Sequence, residues 1–240
     1  MQQESLKNKT IKGVGWSAAD ALLGQGVTFI VGLVLARLLS PDEYGLIGIC
    51  LIFTTVLNGI VDSGFSNALI RKKDVTDEDY NTMFTTNMAI SIVLYVLLFI
   101  SAPLVSDFFH RIELTALVRV TGLMLFLNAL SITQVTILTK NIDFKTKTKA
   151  SLVSAIISGV IGIVMAFMGY GVWSLVAQQL SKQLLYTLCL WVLNKWWPKF
   201  TFYNDSFRYM WGFGWKLLAS GILNNVWNQL YQVVIGRCYT

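Results

Sequence analysis

Residues 150–181 read ASLVSAIISGVIGIVMAFMGYGVWSLVAQQLS, an apolar run without one charged side chain. A helix that crosses a bilayer needs about 20 mostly apolar residues, so this run is too long for one span. At its centre stands Gly169-Tyr170-Gly171, and two glycines accept the dihedrals of a tight reversal. The stretch therefore predicts two antiparallel membrane helices joined by a short turn.

Working outward, uncharged runs recur at 44–61, 80–106, 120–139 and 217–236, and 13–36 is broken only by Asp20. Together they predict seven helices, near 12–38, 43–70, 80–106, 113–139, 147–168, 171–194 and 207–237. Barrel strands are excluded, because the runs lack period-two alternation and are about twice the length a tilted strand needs. The fold class is an all-α polytopic membrane protein. Composition agrees: of 240 residues 55% are hydrophobic and 13% charged, with a mean hydropathy of +0.59, where soluble domains carry roughly 25% charged residues. This excludes a disordered chain and a secreted disulfide scaffold. The first apolar segment runs from 13 to Arg37 with no small-residue cleavage site before it, which also argues for a retained helix over a signal peptide.

Lysine and arginine sort to one side of the predicted spans. Lys7, Lys9, Lys12, Arg71, Lys72, Lys73, Lys140, Lys145, Lys147, Lys149, Lys195, Lys199, Arg208 and Lys216 share one side, while Arg37, Arg111, Arg119 and Arg237 share the other. Cationic loops resist translocation, so the first side, with the N-terminus, is expected in the cytoplasm and the seventh helix is expected to end outside. The net charge of +6 is mostly this topological signal. No basic run is interleaved with exposed aromatics, so no nucleic-acid partner is expected.

An internal repeat divides the chain. Gly13-Val14-Gly15-Trp16 opens the first helix and Gly212-Phe213-Gly214-Trp215 recurs in the seventh, while Arg37 near the end of one matches Arg237 near the end of the other. A repeat six helices later keeps its orientation across the membrane, the arrangement that builds two parallel bundles. Residues 1–204 are accordingly expected to form a six-helix N-terminal lobe. Residues 205–240 would begin a second, mostly missing bundle, making the chain the truncated part of one about twice as long.

Gly15-Trp16-Ser17, Leu35-Ala36-Arg37-Leu38-Leu39 with Pro41 and Tyr44-Gly45-Leu46, and Ala68-Leu69-Ile70-Arg71 resemble the lipopolysaccharide and polysaccharide flippase family. Pro103 with Phe108-Phe109, Phe144-Lys145, Gly169-Tyr170-Gly171-Val172-Trp173-Ser174-Leu175, Trp196-Trp197-Pro198 and Ile235-Gly236-Arg237 follow in that family's order. The family, which includes O-antigen flippases, is the polysaccharide-transporter branch of the multidrug/oligosaccharidyl-lipid/polysaccharide exporter superfamily, and the match is to its N-terminal portion. The resemblance implies two six-helix lobes around a cavity that opens alternately to either side of the bacterial inner membrane. Its cargo would be lipid-pyrophosphate-linked oligosaccharide, with membrane lipids, a polysaccharide polymerase and glycosyltransferases as further partners.

Polar residues inside the spans are the candidates for mechanism, since a charge near the middle of a membrane helix costs about 2.5–3.5 kcal/mol on insertion scales. Asp20 and Asp62 each sit about eight residues from the cytoplasmic end of a helix, roughly 12 Å deep. They are candidates for binding a proton or cation, or for gating against Lys182 or Lys216; the competing reading is that they satisfy polar groups on neighbouring helices. Asn58 shares a helix face with Asp62. Lys182, with Gln178 one turn earlier, is the preferred contact for a lipid pyrophosphate, against the alternative of pairing with Asp20 or Asp62. Arg37 is a candidate cargo contact or an interface anchor. Asn225, Gln229 and Gln232 form an amide stripe suited to sugar hydroxyls, with Asn128, Ser131 and Gln134 a lesser one; interhelical hydrogen bonding is the alternative for both. Ser154, Ser158 and Gly162 read as close helix packing.

Cys50, Cys189 and Cys238 lack paired spacing, and His110 stands alone, so neither disulfides nor a metal site is expected. There is no phosphate-binding glycine loop, which leaves nucleotide-driven pumping unsupported. No cofactor is expected beyond coupling to H+ or Na+. A drug or metabolite exporter of the same superfamily is the nearest alternative. A membrane glycosyltransferase or polymerase is more remote, because the outer loops are short and offer only Asp107 and Glu113 as acids.

Overall fold

The structure, a computed structural model, describes residues 2–62 and 64–238, with side chains from Gly13 to Leu223 apart from Val14, Ser63 and Ile222. Among the described residues there are nine helices and no strand: α1 Gln2–Leu38, α2 Pro41–Asp62, α3 Phe65–Arg71, α4 Asp77–Phe109, α5 Glu113–Thr121, α6 Met124–Lys140, α7 Phe144–Phe167, α8 Val172–Asn194 and α9 Asn204–Cys238. All seven predicted helices are present, but the second and fourth are each broken in two.

The break between α2 and α3 lies at Gly64, whose φ is +68°. That conformation costs an L-residue about 1–2 kcal/mol. A Cβ at this position would also come within 2.8 Å of the Gly214 carbonyl oxygen on α9. Glycine thus both turns the chain and admits the neighbouring helix. Between α5 and α6 the ladder tightens, Leu123 N–H donating to Val120 O at 3.1 Å, an i to i−3 bond of the 3₁₀ kind. The predicted reversal at Gly169-Tyr170-Gly171 joins α7 to α8, with φ of +81° and +55° at its two glycines.

Helix starts are set by local chemistry. Ser40 and Glu43 cap α2 reciprocally: Glu43 Oε2 accepts the Ser40 N–H at 2.6 Å and Ser40 Oγ accepts the Glu43 N–H at 3.3 Å, with Pro41 at the first helical position where its missing N–H costs nothing. Asp143 caps α7 by accepting the Thr146 N–H at 3.1 Å. Such caps contribute about 1 kcal/mol each.

Among the described residues, five segments are long and apolar enough to cross a membrane: Gly15–Leu38, Pro41–Arg71, Asp77–Phe109, Glu113–Lys140 and Phe144–Phe167. The chain is a multi-pass membrane protein. Helices α8 and α9 have the length for a span but a lower apolar density, because Gln178, Gln179, Lys182 and Gln183 interrupt α8 and Asn224, Asn225, Asn228, Gln229 and Gln232 interrupt α9. Leu22, Phe29, Ile100, Leu104 and Val192 are exposed and would meet lipid.

Helix α7 packs between α1 and α8, α6 contacts α2, α4 and α8, and α9 lies on α2 and α3. Hydrophobic burial drives little association inside a bilayer, so close packing must hold the bundle together. Small residues supply it: Ser154 and Ser158 are buried, and Cβ atoms on Gly159 and Gly162 would come within 2.5 Å of Val31 and 2.7 Å of Gln178. On α9, Arg71 stacks over Phe213 at 4.7 Å and Phe65 meets Phe207 edge-on.

At the lysine-rich end, the Lys140 ammonium donates to the Leu69 carbonyl at 3.1 Å, to Ile70 at 3.3 Å and to Lys72. Leu69 and Ile70 lie in the last turn of α3 and Lys72 is its C-cap, where carbonyls lack a helical N–H partner. Replacing Lys140 with methionine keeps the stem but removes the cap. We expect a loss of about 1.5–3 kcal/mol, measured as a lower unfolding midpoint in detergent with faster proteolysis at residues 72–76. An unchanged midpoint would show the cap to be dispensable.

Candidate functional site

A polar recess of about 540 Å³ lies between α2, α3, α6, α7 and α8. Helix α2 contributes Asn58 and Asp62, α3 Ser66 and Asn67, and α6 Asn128, Ser131, Thr136 and Thr139. Across from them stand Lys147 of α7 and Gln183 and Tyr186 of α8. The lining reaches Ile70, Thr139 and Lys147, near the helix ends on the lysine-rich side.

Periodicity explains the wall. Asn128, Ser131, Val135 and Thr139 follow i, i+3, i+7, i+11, and Gln183 and Tyr186 follow i, i+3, so each set occupies one helix face. The break at Gly64 lets α3 add Ser66 and Asn67 beside Asp62. Amides and hydroxyls cross-link the wall. Asn128 Nδ2 donates to Asn58 Oδ1 at 2.8 Å, Gln183 Nε2 to Ser131 Oγ at 3.2 Å, and Ser66 Oγ to Asp62 at 2.5 Å. An amide carries two donors and two acceptor lone pairs, so capacity for a ligand remains.

Lys147 is the cation that lines this cavity. Its neighbours are engaged elsewhere: Lys140 caps α3, Lys72 pairs with Asp79 at 2.7 Å, and Lys145 lies 5.9 Å over the Trp16 ring. The arrangement can bind a hydroxyl-rich solute through amides and an anion through one ammonium. Among the described residues no cluster of three or more metal-ligating side chains occurs.

Of the residues singled out from sequence, Asn58 and Asp62 line the cavity, as do Asn128 and Ser131 of the lesser stripe. Gln134 of that stripe is buried and donates to the Trp196 carbonyl at 2.8 Å, fastening the irregular segment 195–203. Gln178 packs on α7 at Gly162. Lys182 is half-buried and outside the cavity lining; it stands one position, 100°, from Gln183 on the same helix. Among the described residues it makes no ion pair within 4.0 Å with Asp20 or Asp62. Lys216 is exposed on α9, and Arg37 is exposed in the last turn of α1.

Asp20 is not among the residues that line the cavity; it lies on α1 facing α7, where a Cβ on Gly24 would come 3.9 Å from Ser151 Oγ and 3.8 Å from Asp20 Oδ1. That oxygen is buried and has no hydrogen-bond partner among the described residues. Asn225, Gln229 and Gln232 fall within α9, but their side chains lie outside the described residues. Lys147, Gln183, Tyr186, Ser66 and Asn67 were not anticipated. The i, i+3 spacing of Gln183 and Tyr186 was a readable signal, whereas Lys147 counted only as a topological charge.

The Asn58–Asn128 bond gives a direct check on the wall. A double-mutant cycle of Asn58→Ala and Asn128→Ala should yield a coupling of about 0.6–2 kcal/mol, read from unfolding in detergent. A coupling of zero would mean the two amides do not meet.

Comparison with known proteins supplies context for this site. A family model described as polysaccharide biosynthesis protein matches residues 34–240. The chain is 27% identical over 230 residues to the succinoglycan biosynthesis transport protein ExoT of Rhizobium meliloti, covering 95% of this chain and 47% of that protein. It is 28% identical over 240 residues to the teichuronic acid biosynthesis protein TuaB of Bacillus subtilis, covering 97% and 49%. It is also 28% identical over 119 residues to the lipopolysaccharide biosynthesis protein WzxC of Escherichia coli, covering 50% and 24%. The chain spans about half the length of the first two of these relatives. No solved structure matches it significantly.

Proposed function

The chain belongs to the polysaccharide biosynthesis protein family, and from that premise we propose that it supplies the N-terminal lobe of a flippase for lipid-pyrophosphate-linked oligosaccharide. The lobe would lie in the bacterial inner membrane with its N-terminus in the cytoplasm. Residues 205–240 would begin a second lobe, and the two would rock around a cargo site to expose it to either leaflet in turn. The activity is transport, with no bond made or broken.

The observation that carries this reading is the cavity itself. A recess of about 540 Å³ walled by Asn58, Asn128, Ser131 and Gln183, with Lys147 at its lysine-rich end, offers donors and acceptors to sugar hydroxyls and a positive charge to the pyrophosphate. Lys147 replaces Lys182 as the proposed anion contact, because it lines the recess and Lys182 does not. The amides of Asn225, Gln229 and Gln232 would face the same cargo from the second lobe.

Asp20 favours a second element, coupling to H+ or Na+. Its buried Oδ1 lacks a partner among the described residues, and an uncompensated carboxylate oxygen at that depth gains from binding a proton or a cation. A drug or metabolite exporter of the same superfamily, driven by proton or sodium binding at Asp20 or Asp62, is the competing function.

The test is depletion of the full-length protein in its native host, followed by assay of lipid-linked oligosaccharide by leaflet. Accumulation on the cytoplasmic leaflet, reversed by wild type, is expected. Normal lipid-linked glycan with altered drug retention would instead establish the exporter.

A further inference from the structure

The lining of the polar cavity has two chemistries. Asn58, Asn128, Ser131 and Gln183 offer hydrogen-bonding groups, while Ile132, Val135 and Tyr186 offer apolar surface. Tyr186 is the one aromatic side chain in that lining among the described residues.

Its ring is supported from behind. Tyr186 packs against the small cluster of Leu138, Ala150 and Leu190, which stands apart from the main core and also carries Val135. The side chain is half-buried, with that cluster on one side and the cavity on another. Other rings of this lobe engage one another: Trp191 meets Phe84 and Trp197 edge-on, and Tyr80 meets Trp196. Tyr186 makes no ring pair among the described residues. What a tyrosine adds over an aliphatic side chain is a flat ring with a negative face.

A pyranose matches both chemistries of the lining. Its hydroxyls donate and accept as the amides do, whereas its axial C–H bonds make an apolar, weakly positive face that suits the face of an aromatic ring. We propose that Tyr186 is the stacking platform for a sugar ring of the cargo, and so a residue that separates glycosylated lipid from bare carrier. The proposal rests on the flippase reading and deepens it, giving the sugar a contact for its face as well as for its hydroxyls. Lys147 stands three positions before the Ala150 that backs the ring, about 4.5 Å along α7. An anion at that ammonium and a sugar on the ring therefore fit one cargo molecule.

The test measures binding of two lipids to the full-length protein in nanodiscs: polyprenyl pyrophosphate bearing an oligosaccharide, and polyprenyl pyrophosphate alone. Tyr186→Leu should weaken binding of the glycosylated lipid about fivefold to tenfold, the range an aromatic contact carries, and change binding of the bare lipid less than about twofold. Tyr186→Phe keeps the ring and should bring the glycosylated lipid back to within about twofold of wild type. Because leucine alters a packed position, a second measurement leaves the ring in place. Fluorotyrosine at position 186 should give a fluorine resonance that shifts further with the glycosylated lipid than with the bare one.

Unchanged binding of the glycosylated lipid by Tyr186→Leu would overturn the proposal, as would an equal loss in Tyr186→Phe. An equal loss for both lipids in a leucine variant with the wild-type unfolding midpoint overturns it too; where the midpoint falls, the fluorine measurement decides, and equal shifts with both lipids reject the platform. Transport of lipid-linked glycan in cells tests the reading beneath. Wild-type protein that moves no such lipid rejects the flippase reading, whereas intact wild-type transport with an indifferent Tyr186→Leu rejects the platform alone.

Discussion

Lys147→Glu in the full-length protein is expected to reduce transport of lipid-linked oligosaccharide roughly a hundredfold, the effect of losing a charge-assisted hydrogen bond worth about 1.5–3 kcal/mol and adding repulsion. The reversed charge would face the cargo pyrophosphate and would join Asp62 in the lining of one cavity, where like charges oppose each other. Lys145→Glu is the matched control, because Lys145 stands over Trp16 outside the cavity; its transport should change less than about twofold, as exposed charges contribute little. Equal membrane abundance and equal protease patterns would show that both variants fold. Full transport by Lys147→Glu would remove the anion contact from the account.

Gly64→Val should be the most destabilising single substitution near the site. Valine would have to adopt φ near +68°, a conformation its branched side chain resists, and its Cβ would press on the Gly214 carbonyl at 2.8 Å and the Leu217 Cβ at 2.9 Å. Both atoms belong to α9, one backbone and the other the root of a side chain, and neither can swing aside. The expected cost is about 3 kcal/mol or more, read as a lower unfolding midpoint in detergent and loss of protein from the membrane. Gly64→Ala should cost less but still destabilise. Wild-type stability for the valine variant would show that the break at Gly64 is not required, and with it the placement of Ser66 beside Asp62.

How far the sequence revealed this molecule depends on which physical signal each feature leaves. Spans are legible because a bilayer demands long uncharged runs, and the Gly169–Gly171 reversal was readable since glycine marks positive φ. The breaks at Gly64 and at Gly122–Leu123 interrupt hydrogen-bond ladders without interrupting hydropathy, so the predicted second and fourth helices ran straight through them. Gly64 did carry a cue, following a carboxylate and a serine.

For the site, Asn58 and Asp62 were legible as polar side chains retained at membrane depth. Choosing between Lys182 and Lys147 was not. Hydropathy and charge do not report which helices neighbour one another, and on α8 one position turns a side chain by 100°. Lys182 was selected for its depth in a span, while Lys147 in the first turn of α7 was indistinguishable from the lysines that set orientation. The stripe at Asn128, Ser131 and Gln134 shows the same limit. Two of its members line the cavity, and the third fastens the Trp196 carbonyl.

The central claim is that the polar cavity holds the glycan of a lipid-linked cargo while it crosses the membrane. Its most direct test is leaflet exchange of a fluorescent polyprenyl-pyrophosphate oligosaccharide in vesicles containing the purified full-length protein, compared with the Asn58→Leu/Gln183→Leu variant. Wild type should move the lipid saturably, and the variant should be slower by roughly tenfold or more, since two hydrogen-bonding groups worth about 1 kcal/mol each are lost. Equal rates for the two proteins would contradict the claim.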